Sequence, residues 1–417
     1  MKKLWVAMLF CIAAGGLRAQ SADTLLLRLT LADAKSQLLK ENLELTAAQY
    51  DILNAEAEVI QAGLWNNPNF VWNADMYSME RNEYFNYRNQ KLIQLEHMVP
   101  FTGRHRKARK VAEVDLERVK VEYANAIREM LYNFTTTFYE LHAVYRSSQI
   151  YSEAALVYDQ SIAAAEKQLE TGLIAGSEVI RLKSERLALN TDRVNNSVAL
   201  QNLEAEVRML LNLKPNVMIE PVVLDTAQAP IINVADLTAD AANNRQDYEY
   251  RLASIEYEKR NLTLQKALAF QDVKMGYQPH DKGSNYVRPY QGLVVEVSLP
   301  LFNRNQGEIQ KAKNSIRQAE IQVLQKENEI MNEVVSAYQT YTLLKEAVDL
   351  YTSEFFQQID ELNKNANENY TRKTISILEY IDLQRIYLQT SFDFINLQKD
   401  YFNSKAQLNY VTAKEIF

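Results

Sequence analysis

A seven-residue apolar repeat runs through the second half of the chain. Its members are Ile309, Ile316, Val323, Ile330, Ala337 and Leu344, with Ala312 and Ala319 at intervening positions. This spacing keeps one face of a helix against a neighbouring helix over its whole length. We therefore predict a helix of about 40 residues, roughly 60 Å long, from Arg304 onward. Asn303 is the predicted N-cap of this helix.

The last helical segment carries two parallel apolar stripes. One contains Ile381, Leu388, Ile395 and Phe402, and the other contains Tyr380, Tyr387, Phe394, Tyr401 and Leu408. Two stripes favour a helix with neighbours on both sides, as in a wall of helices. Helical patterns in the first half extend from Leu31 to Leu64, from Gly103 to about Ala143 and from Val179 to Leu213. An extended soluble coiled coil would show the same stripes.

Short alternating segments separate the long helices. Apolar and polar residues alternate from Asn69 to Met76, Ile93 to Val99, Val273 to Tyr277 and Leu293 to Leu299. A period of two predicts strands with one apolar face. Each half of the chain therefore supplies one hairpin, and strands of about 10 residues match the tilted length that crosses a membrane. No other segment is predicted to be rich in strands.

Four strands do not close a membrane barrel, because the smallest such barrels have about eight. Three copies of the chain would supply twelve strands, so the pattern predicts a barrel shared among copies in the bacterial outer membrane. A small soluble sheet that caps a helical bundle is the alternative. The predicted fold class is mainly α with a small β part: a tunnel of long coiled-coil helices plus a trimer-shared barrel with four strands per chain.

The chain contains an internal tandem duplication. The sequence Val99-Pro100-Phe101-Thr102-Gly103-Arg104 is echoed 200 positions later by Leu299-Pro300-Leu301-Phe302-Asn303-Arg304. Residues 169–180 likewise recur as residues 370–381. A near-constant offset over so much chain indicates two similar halves. We predict a first repeat over residues 20–213, a linking equatorial segment over residues 214–236 and a second repeat over residues 237–417.

Residues 1–19 are predicted to be a secretory signal peptide. Lys2 and Lys3 precede an apolar run from Leu4 to Leu17, and Ala19 is the small residue expected at the cleavage site. The single cysteine of the chain, Cys11, lies within this segment. We therefore expect a mature protein without disulfides.

Charge and motifs argue against several classes of protein. The formal net charge is −7, which opposes binding to nucleic acid. The sequence has no Gly-x-Ser-x-Gly elbow, phosphate loop, dinucleotide fingerprint or His-Glu-x-x-His motif, so we do not expect an enzyme. The four histidines, at positions 97, 105, 142 and 280, lack the spacing of metal ligands, and no metal site or cofactor is predicted.

The order, spacing and duplication of these segments resemble the TolC-type outer-membrane efflux proteins over essentially the whole mature chain. The best-matched motifs are the strand-to-helix junction from Val297 to Gly307 and the helix-turn segment from Tyr370 to Asp382. The opening Leu31-Ala32-Asp33-Ala34, followed by Glu41-Asn42-Leu43, is also similar to the family's first helix. The resemblance implies a homotrimer with a barrel in the outer membrane and a helical tunnel in the periplasm.

The resemblance also implies partners. Members of this family dock on a periplasmic adaptor (membrane fusion) protein and an inner-membrane pump, expected here to be of the RND type, and their barrels contact outer-membrane lipid. The sequence Leu301-Phe302-Asn303-Arg304-Asn305-Gln306-Gly307 is similar to that of the cobalt-zinc-cadmium efflux (CzcC-like) branch of the family. The expected function is a passive exit duct for small molecules or metal cations, with export of drugs or dyes left open.

The family's periplasmic tip corresponds to two helix-helix turns, residues 171–177 and 372–377. The expected adaptor contacts are Gly172, Leu173, Ile174, Thr374, Ile375 and Ser376. Here the chain departs from the family pattern, because Lys373 stands where the turn glycine is expected and Ile375 replaces a basic residue.

Acidic residues beside these turns match the family's aperture positions. Glu379 and Asp382 are three apart and so share one helix face, and threefold repetition would give a ring of six carboxylates that attracts cations. Glu178 is at the equivalent position in the first half, where it could pair with Arg372 or Lys373 to hold the aperture shut. The simpler interpretation of Glu379 and Asp382 is a solvated pair without a role. A periplasmic scaffold or adhesin without transport activity is the alternative function.

Overall fold

The computed structural model of the chain describes residues 25–74, 76–79, 82–84, 91–223, 233–281, 288 and 290–417. The predicted signal peptide lies outside the described residues, as does part of the predicted linking segment. Among the described helices, none combines the length and the apolar character that crossing a membrane requires.

The described elements follow the predicted duplication. In the first half they are β1 (Leu25–Thr30), α1 (Leu31–Glu41), α2 (Leu43–Ala62), β2 (Asn69–Ala74), β3 (Tyr77–Ser78), β4 (Glu83–Tyr84), β5 (Lys91–Val99), α3 (Arg104–Glu170) and α4 (Gly176–Leu210). In the second half they are β6 (Val217–Val222), α5 (Val234–Asn244), α6 (Gln246–Leu268), β7 (Val273–Asp281), β8 (Tyr290–Val297), α7 (Gln306–Asp349), α8 (Ser353–Thr371) and α9 (Ile377–Thr412).

Helix α3 is the longest element. It has 67 residues and is about 100 Å long at 1.5 Å per residue. The prediction that this helix ends near Ala143 is wrong, because residues 104–170 contain neither Gly nor Pro and nothing in the sequence stops it. In the first repeat, one unbroken helix therefore spans this length.

The second repeat divides the same length between α7 and α8. The helix breaks at residues 350–352, where the Thr352 side chain accepts a hydrogen bond from the Phe355 backbone N–H at 3.2 Å and starts α8. Tyr351 and Phe356 pack on Phe394 of α9, with ring centroids 5.3 and 4.2 Å apart. An N-cap and an aromatic cluster therefore fix the position of the break.

The predicted seams of α7 and α9 are confirmed. The buried residues of α7 include Ala312, Ala319, Val323, Ile330 and Ala337, all members of the predicted repeat. On α9, both stripes contribute buried residues: Ile381, Ile395 and Phe402 from one, and Tyr380, Tyr401 and Leu408 from the other. Helix α9 contacts α3, α7 and α8, as expected for a helix within a wall.

Four strands form one antiparallel sheet in the order β2-β5-β7-β8, so the two predicted hairpins join through β5 and β7. The strands have 6, 9, 9 and 8 residues, somewhat shorter than the predicted 10. The outer strands β2 and β8 have no partner strand on their free edges within the described residues. The protomer therefore presents an open sheet with two edges.

The two faces of this sheet differ in polarity. Phe70, Leu95, Tyr277 and Leu293 lie side by side across the four strands on one face, and all are exposed. On the other face, Lys274 bridges Glu96 and Glu296 at 3.1 Å each, and Gln278 donates to Gln94 at 3.2 Å. A Cβ on Gly276 would lie 2.7 Å from the Gln94 side chain, so glycine makes room for this polar row.

Two further strand pairs were not predicted. Strand β1 pairs in parallel with β6, and Ile219 of β6 is buried against the start of α1 and the middle of α3. The short strands β3 and β4 form a hairpin next to β2. The parallel pair joins segments about 190 positions apart, and Pro221 within β6 argues against a strand when the segment is considered alone.

The predicted cap of α7 is wrong by two residues. Asn305, not Asn303, is the N-cap, and it adopts a left-handed conformation with φ 56°. The Asn303 side chain accepts a hydrogen bond from the Asn305 N–H at 3.0 Å, while the Asn305 side chain donates to the Gln265 carbonyl at 2.9 Å. Asn303 therefore shapes the turn before the helix, and Asn305 ties that turn to α6.

A buried ionic cluster holds the middle of the protomer together. The Arg245 guanidinium, whose side chain is 1% exposed, contacts Asp247 at 2.6 Å and also pairs with Glu333 of α7. Lys326 of α7 and Arg128 of α3 lie 2.9 and 3.3 Å from the same Asp247 carboxylate. Burial opposes ionisation of Asp247, yet the hydrogen bonds from Arg245 and Lys326 hold its pKa well below the usual range.

We expect Asp247→Asn to lower the free energy of unfolding at neutral pH by about 3–5 kcal/mol, because it leaves Arg245 buried with less compensation. A depressed folded-state pKa contributes stability above the unfolded pKa of about 3.9, and this contribution is lost as pH falls below it. Melting monitored by circular dichroism should therefore show a smaller acid loss in Asp247→Asn than in the wild type. Asp393→Asn, at an exposed carboxylate of α9, is the control. Equal acid losses in Asp247→Asn and the wild type would contradict this account.

Candidate functional site

The two predicted turns lie between α3 and α4 and between α8 and α9, and they have the same backbone geometry. Gly172 and Lys373 both adopt left-handed conformations, with φ 71° and 62°. In each turn the next N–H closes a six-residue hydrogen bond at 2.9 Å, from Leu173 to the Gln168 carbonyl and from Thr374 to the Asn369 carbonyl. These are Schellman motifs, which satisfy the last carbonyls of a helix.

The second turn contains a lysine where this geometry favours glycine. A left-handed conformation costs a residue with a Cβ about 1 kcal/mol, whereas glycine adopts it freely. Lys373 is exposed at the tip, so its ammonium group projects from the end of the helical hairpin. The two copies of the turn therefore share one backbone geometry but differ in charge.

The helices that follow the turns are capped differently. The Ser376 hydroxyl accepts a hydrogen bond from the Glu379 N–H at 3.2 Å, whereas Ala175, at the equivalent position, has no side-chain cap. A serine cap contributes about 1 kcal/mol and fixes the first turn of the helix. In α9 this first turn carries Glu379, one of the predicted aperture residues.

A shallow groove of about 430 Å³ separates the two turns. Leu173, Ile174, Ile375 and Leu378 provide apolar lining. Leu173 is 62% exposed, which is unusual for a leucine at the end of a packed hairpin. The groove thus brings residues of the two predicted contact turns onto one surface.

Below the groove, a buried polar network joins α3, α8 and α9. Tyr380 donates to the Asn367 side-chain oxygen at 3.1 Å, and its hydroxyl lies 2.8 Å from the Ser161 hydroxyl of α3. Gln384, which is 1% exposed, donates to Asn363 and Asn367 at 2.9 and 3.0 Å. Burial raises the pKa of Tyr380, so its hydroxyl stays neutral in this network.

The first repeat has a different arrangement at the equivalent positions. Glu166 and Lys183, which correspond to Asn367 and Gln384, form an ion pair at 2.7 Å. Val179 replaces Tyr380. At these positions the α3–α4 hairpin therefore has an exposed ion pair, and the α8–α9 hairpin has a network of side-chain amides around the buried Gln384. This network was not predicted from the sequence, although amide and hydroxyl side chains on either side of the second turn were a usable signal.

The predicted aperture carboxylates lie beside this network. Glu379 and Asp382 are exposed on α9, and no ion pair to either is found in the described part of the chain. Glu178 is half-buried and lines the groove. The burial of Tyr370 and the nearby charge of Glu178 raise the pKa of Tyr370 to about 12. Tyr370 stacks on Tyr380 at 4.5 Å between ring centroids.

The predicted latch residues do not meet within one protomer. Arg372 pairs with Glu368 at 3.4 Å, and among the described residues no ion pair joins Glu178 to Arg372 or Lys373. The hairpins are linked instead by Arg385 of α9 and Glu185 of α4, whose Nε and Oε2 atoms lie 3.3 Å apart. The pairing of Glu178 with Arg372 or Lys373 as an aperture latch stays a prediction.

The described residues contain no group of His, Cys, Asp and Glu side chains suited to hold a metal ion. The side chain of His280 lies outside what is described. Burial and the neighbouring Arg146 lower the pKa of His142 to about 4, so this histidine is neutral at physiological pH.

Several solved outer-membrane proteins share this fold of long helices and a small sheet. The outer membrane protein VceC of Vibrio cholerae has this fold, with a TM-score of 0.74 and 16% identity over 93% of this chain and 97% of VceC. The open-state outer membrane channel MtrE of Neisseria gonorrhoeae matches with a TM-score of 0.72 and 11% identity over 93% and 89% of the two chains. CusC matches with a TM-score of 0.71 and 16% identity over 92% and 91%.

Residues 34–212 match the family model of the outer membrane efflux protein. The predicted resemblance to TolC-type outer-membrane efflux proteins is thereby confirmed: residues 34–212 carry the family's sequence pattern, and 92–93% of the chain shares the fold of the solved structures above. No curated protein matches the chain.

We expect Lys373→Gly to stabilise the α8–α9 turn by about 1 kcal/mol, because glycine removes the left-handed strain. Hydrogen exchange of the amides around residue 373 should slow about fivefold, which corresponds to that free energy. The reverse change in the other repeat, Gly172→Lys, is the matched control and should speed exchange around residue 172. Faster exchange in Lys373→Gly would show that the lysine side chain makes contacts that outweigh its strain.

Proposed function

We propose that this protein is the outer-membrane channel of a tripartite efflux system, a passive duct for compounds delivered by a pump and a periplasmic adaptor. The observation that carries the proposal is the combination of an open four-stranded sheet, apolar on one face and polar on the other, with long helices, of which α3 is about 100 Å long. Three such sheets can close a barrel whose polar faces line a pore. The helices then extend that pore into the periplasm.

A soluble scaffold or adhesin explains these features less well. One face of the sheet exposes an apolar row that consists of Phe70, Leu95, Tyr277 and Leu293. In a soluble protein, such a patch would promote aggregation. Lipid acyl chains are a suitable environment for this face. The polar row on the other face suits a water-filled interior.

The assembly that follows is a homotrimer with a periplasmic tip formed by six helix-helix turns. We assign contact with the adaptor to the groove between the turns, with Leu173, Ile174 and Ile375 as its apolar surface. Thr374 and Ser376 complete the second turn, and Lys373 adds a positive charge. The resemblance to the efflux family implies that an inner-membrane pump of the RND type would supply the energy.

We assign charge selection to Glu379 and Asp382. Their exposure and their position within the first two turns after the Ser376 cap allow threefold repetition to form an acidic ring, which would favour cations. The exported compound and the CzcC-like branch stay predictions that rest on the sequence at residues 301–307.

In planar bilayers, we expect the trimer purified from outer membranes to form pores that prefer cations. Glu379→Ala with Asp382→Ala should reduce the ratio of cation to anion permeability several-fold, because six carboxylates are removed from the ring. Permeability ratios follow from reversal potentials in a salt gradient.

Glu346 and Asp349 of α7 provide a matched control, because they repeat the same Glu-x-x-Asp spacing far from the turns. Their replacement by Ala should leave the permeability ratio unchanged. An absence of conductance in the wild type would contradict the channel function. Normal conductance with unchanged selectivity in the Glu379 and Asp382 variant would contradict only the ring.

A further inference from the structure

The first two turns of α3 carry an unusual density of positive charge. Residues 104–110, Arg-His-Arg-Lys-Ala-Arg-Lys, contain five Arg or Lys side chains and a histidine, and the first turn contains no acidic residue. Cations at a helix N-terminus oppose the helix dipole. The equivalent residues of the second repeat, 304–310, contain one Arg and one Glu. The positive charge therefore does not serve to stabilise the helix. It is also not a shared feature of the two repeats, because the second repeat lacks it.

Some of these cationic side chains have partners within the protomer. Arg104 pairs with the buried Asp272 at 2.5 Å, and Lys107 donates to the Thr102 carbonyl at 2.9 Å. Arg109 contacts Glu113 at 3.0 Å, but both side chains are about half exposed. Arg106 and Lys110 are exposed, and no ion pair to either is found among the described residues. The surface therefore keeps an excess of positive charge.

An exposed tryptophan places this surface next to the apolar face of the sheet. The Trp65 ring, 62% exposed, lies nearly parallel to His97 of β5 and His105 of α3, with centroids 5.9 and 6.4 Å away. His97 pairs across the sheet with Met275 and is two residues from Leu95, so it lies on the apolar face. Arg109, one helical turn after His105, therefore lies near the same side.

We propose that Trp65, His105, Arg106, Arg109 and Lys110 form a binding site for the headgroup of an anionic phospholipid in the periplasmic leaflet of the outer membrane. The proposal rests on the proposed function, because it requires the apolar face of the sheet to contact lipid. Tryptophan is favoured at the level of the headgroups, and clustered Arg and Lys bind anionic lipid there.

Three observations favour lipid over other partners. The surface continues the apolar face of the sheet, its charge is opposite to the net charge of −7 of the chain, and it combines cations with an exposed aromatic ring. Guanidinium groups bind phosphate oxygens with strong hydrogen bonds. Because only the first repeat carries the cluster, a trimer would have three such sites.

Native mass spectrometry of the detergent-solubilised trimer tests the proposal, with phosphatidylglycerol and phosphatidylcholine of identical acyl chains as probes. We expect up to three phosphatidylglycerol molecules per trimer, retained at least tenfold more tightly than phosphatidylcholine. The triple variant Arg106→Gln, Arg109→Gln, Lys110→Gln should lose this preference. The control variant Lys311→Gln, Lys313→Gln, after the second junction, should keep it.

Equal retention of the two lipids by the wild type would overturn the proposal, as would an equal loss in the control variant. Displacement of phosphatidylglycerol by millimolar inorganic phosphate would also overturn it, because the site would then bind free phosphate. If the triple variant fails to assemble, the salt dependence of binding to the wild type provides a second test. The preference for phosphatidylglycerol over phosphatidylcholine should fall at least fivefold between 50 and 500 mM ammonium acetate. A preference that does not depend on salt would contradict the proposal. Conductance in phosphatidylcholine bilayers reports separately on the channel function.

Discussion

The free edges of the four-stranded sheet are the constraint on which the rest of the structure depends. Among the described residues, the outer edges of β2 and β8 have no partner strand, and hydrocarbon provides no water to satisfy the backbone N–H and C=O groups of a free edge. A sheet with this apolar face is therefore incomplete as a single chain. Since β2 and β8 run antiparallel, β8 of one protomer can pair with β2 of the next, and three protomers can close the ring. Closure then brings the helices of three chains together below the barrel.

The internal duplication supplies two similar units, and the differences between them occur where function is proposed. The turns share one hydrogen-bond pattern, but Gly172 is matched by Lys373 and the uncapped Ala175 by Ser376. Below the turns, an exposed Glu166–Lys183 pair in one hairpin is matched in the other by the side-chain amides of Asn367 and the buried Gln384. At the opposite end, the basic start of α3 has no counterpart in α7. In the proposed trimer, each difference would reduce approximate sixfold symmetry to threefold symmetry.

The end of α3 was predicted wrongly and both turns were expected from the family resemblance, but periodicity along the sequence was sufficient to predict the seams of α7 and α9 and the four strands of the sheet. These features depend on local spacing, which a single sequence displays. The parallel pair of β1 and β6 was missed because its partners are about 190 residues apart. The cap at Asn305 was missed because its side chain is held by Gln265, a tertiary contact. The pairing of Arg385 with Glu185 likewise depends on how the hairpins pack, which periodicity does not contain.

Disulfide trapping between the two sheet edges tests the central claim most directly. The only cysteine, Cys11, lies within the predicted signal peptide, so cysteine pairs can be introduced with one member in β2 and the other in β8. For at least one register, oxidation of the protein in outer membranes should yield linked chains that reach three and stop there on a denaturing gel. Linkage confined to single chains in every register, or ladders that continue beyond three, would contradict a barrel closed by three protomers.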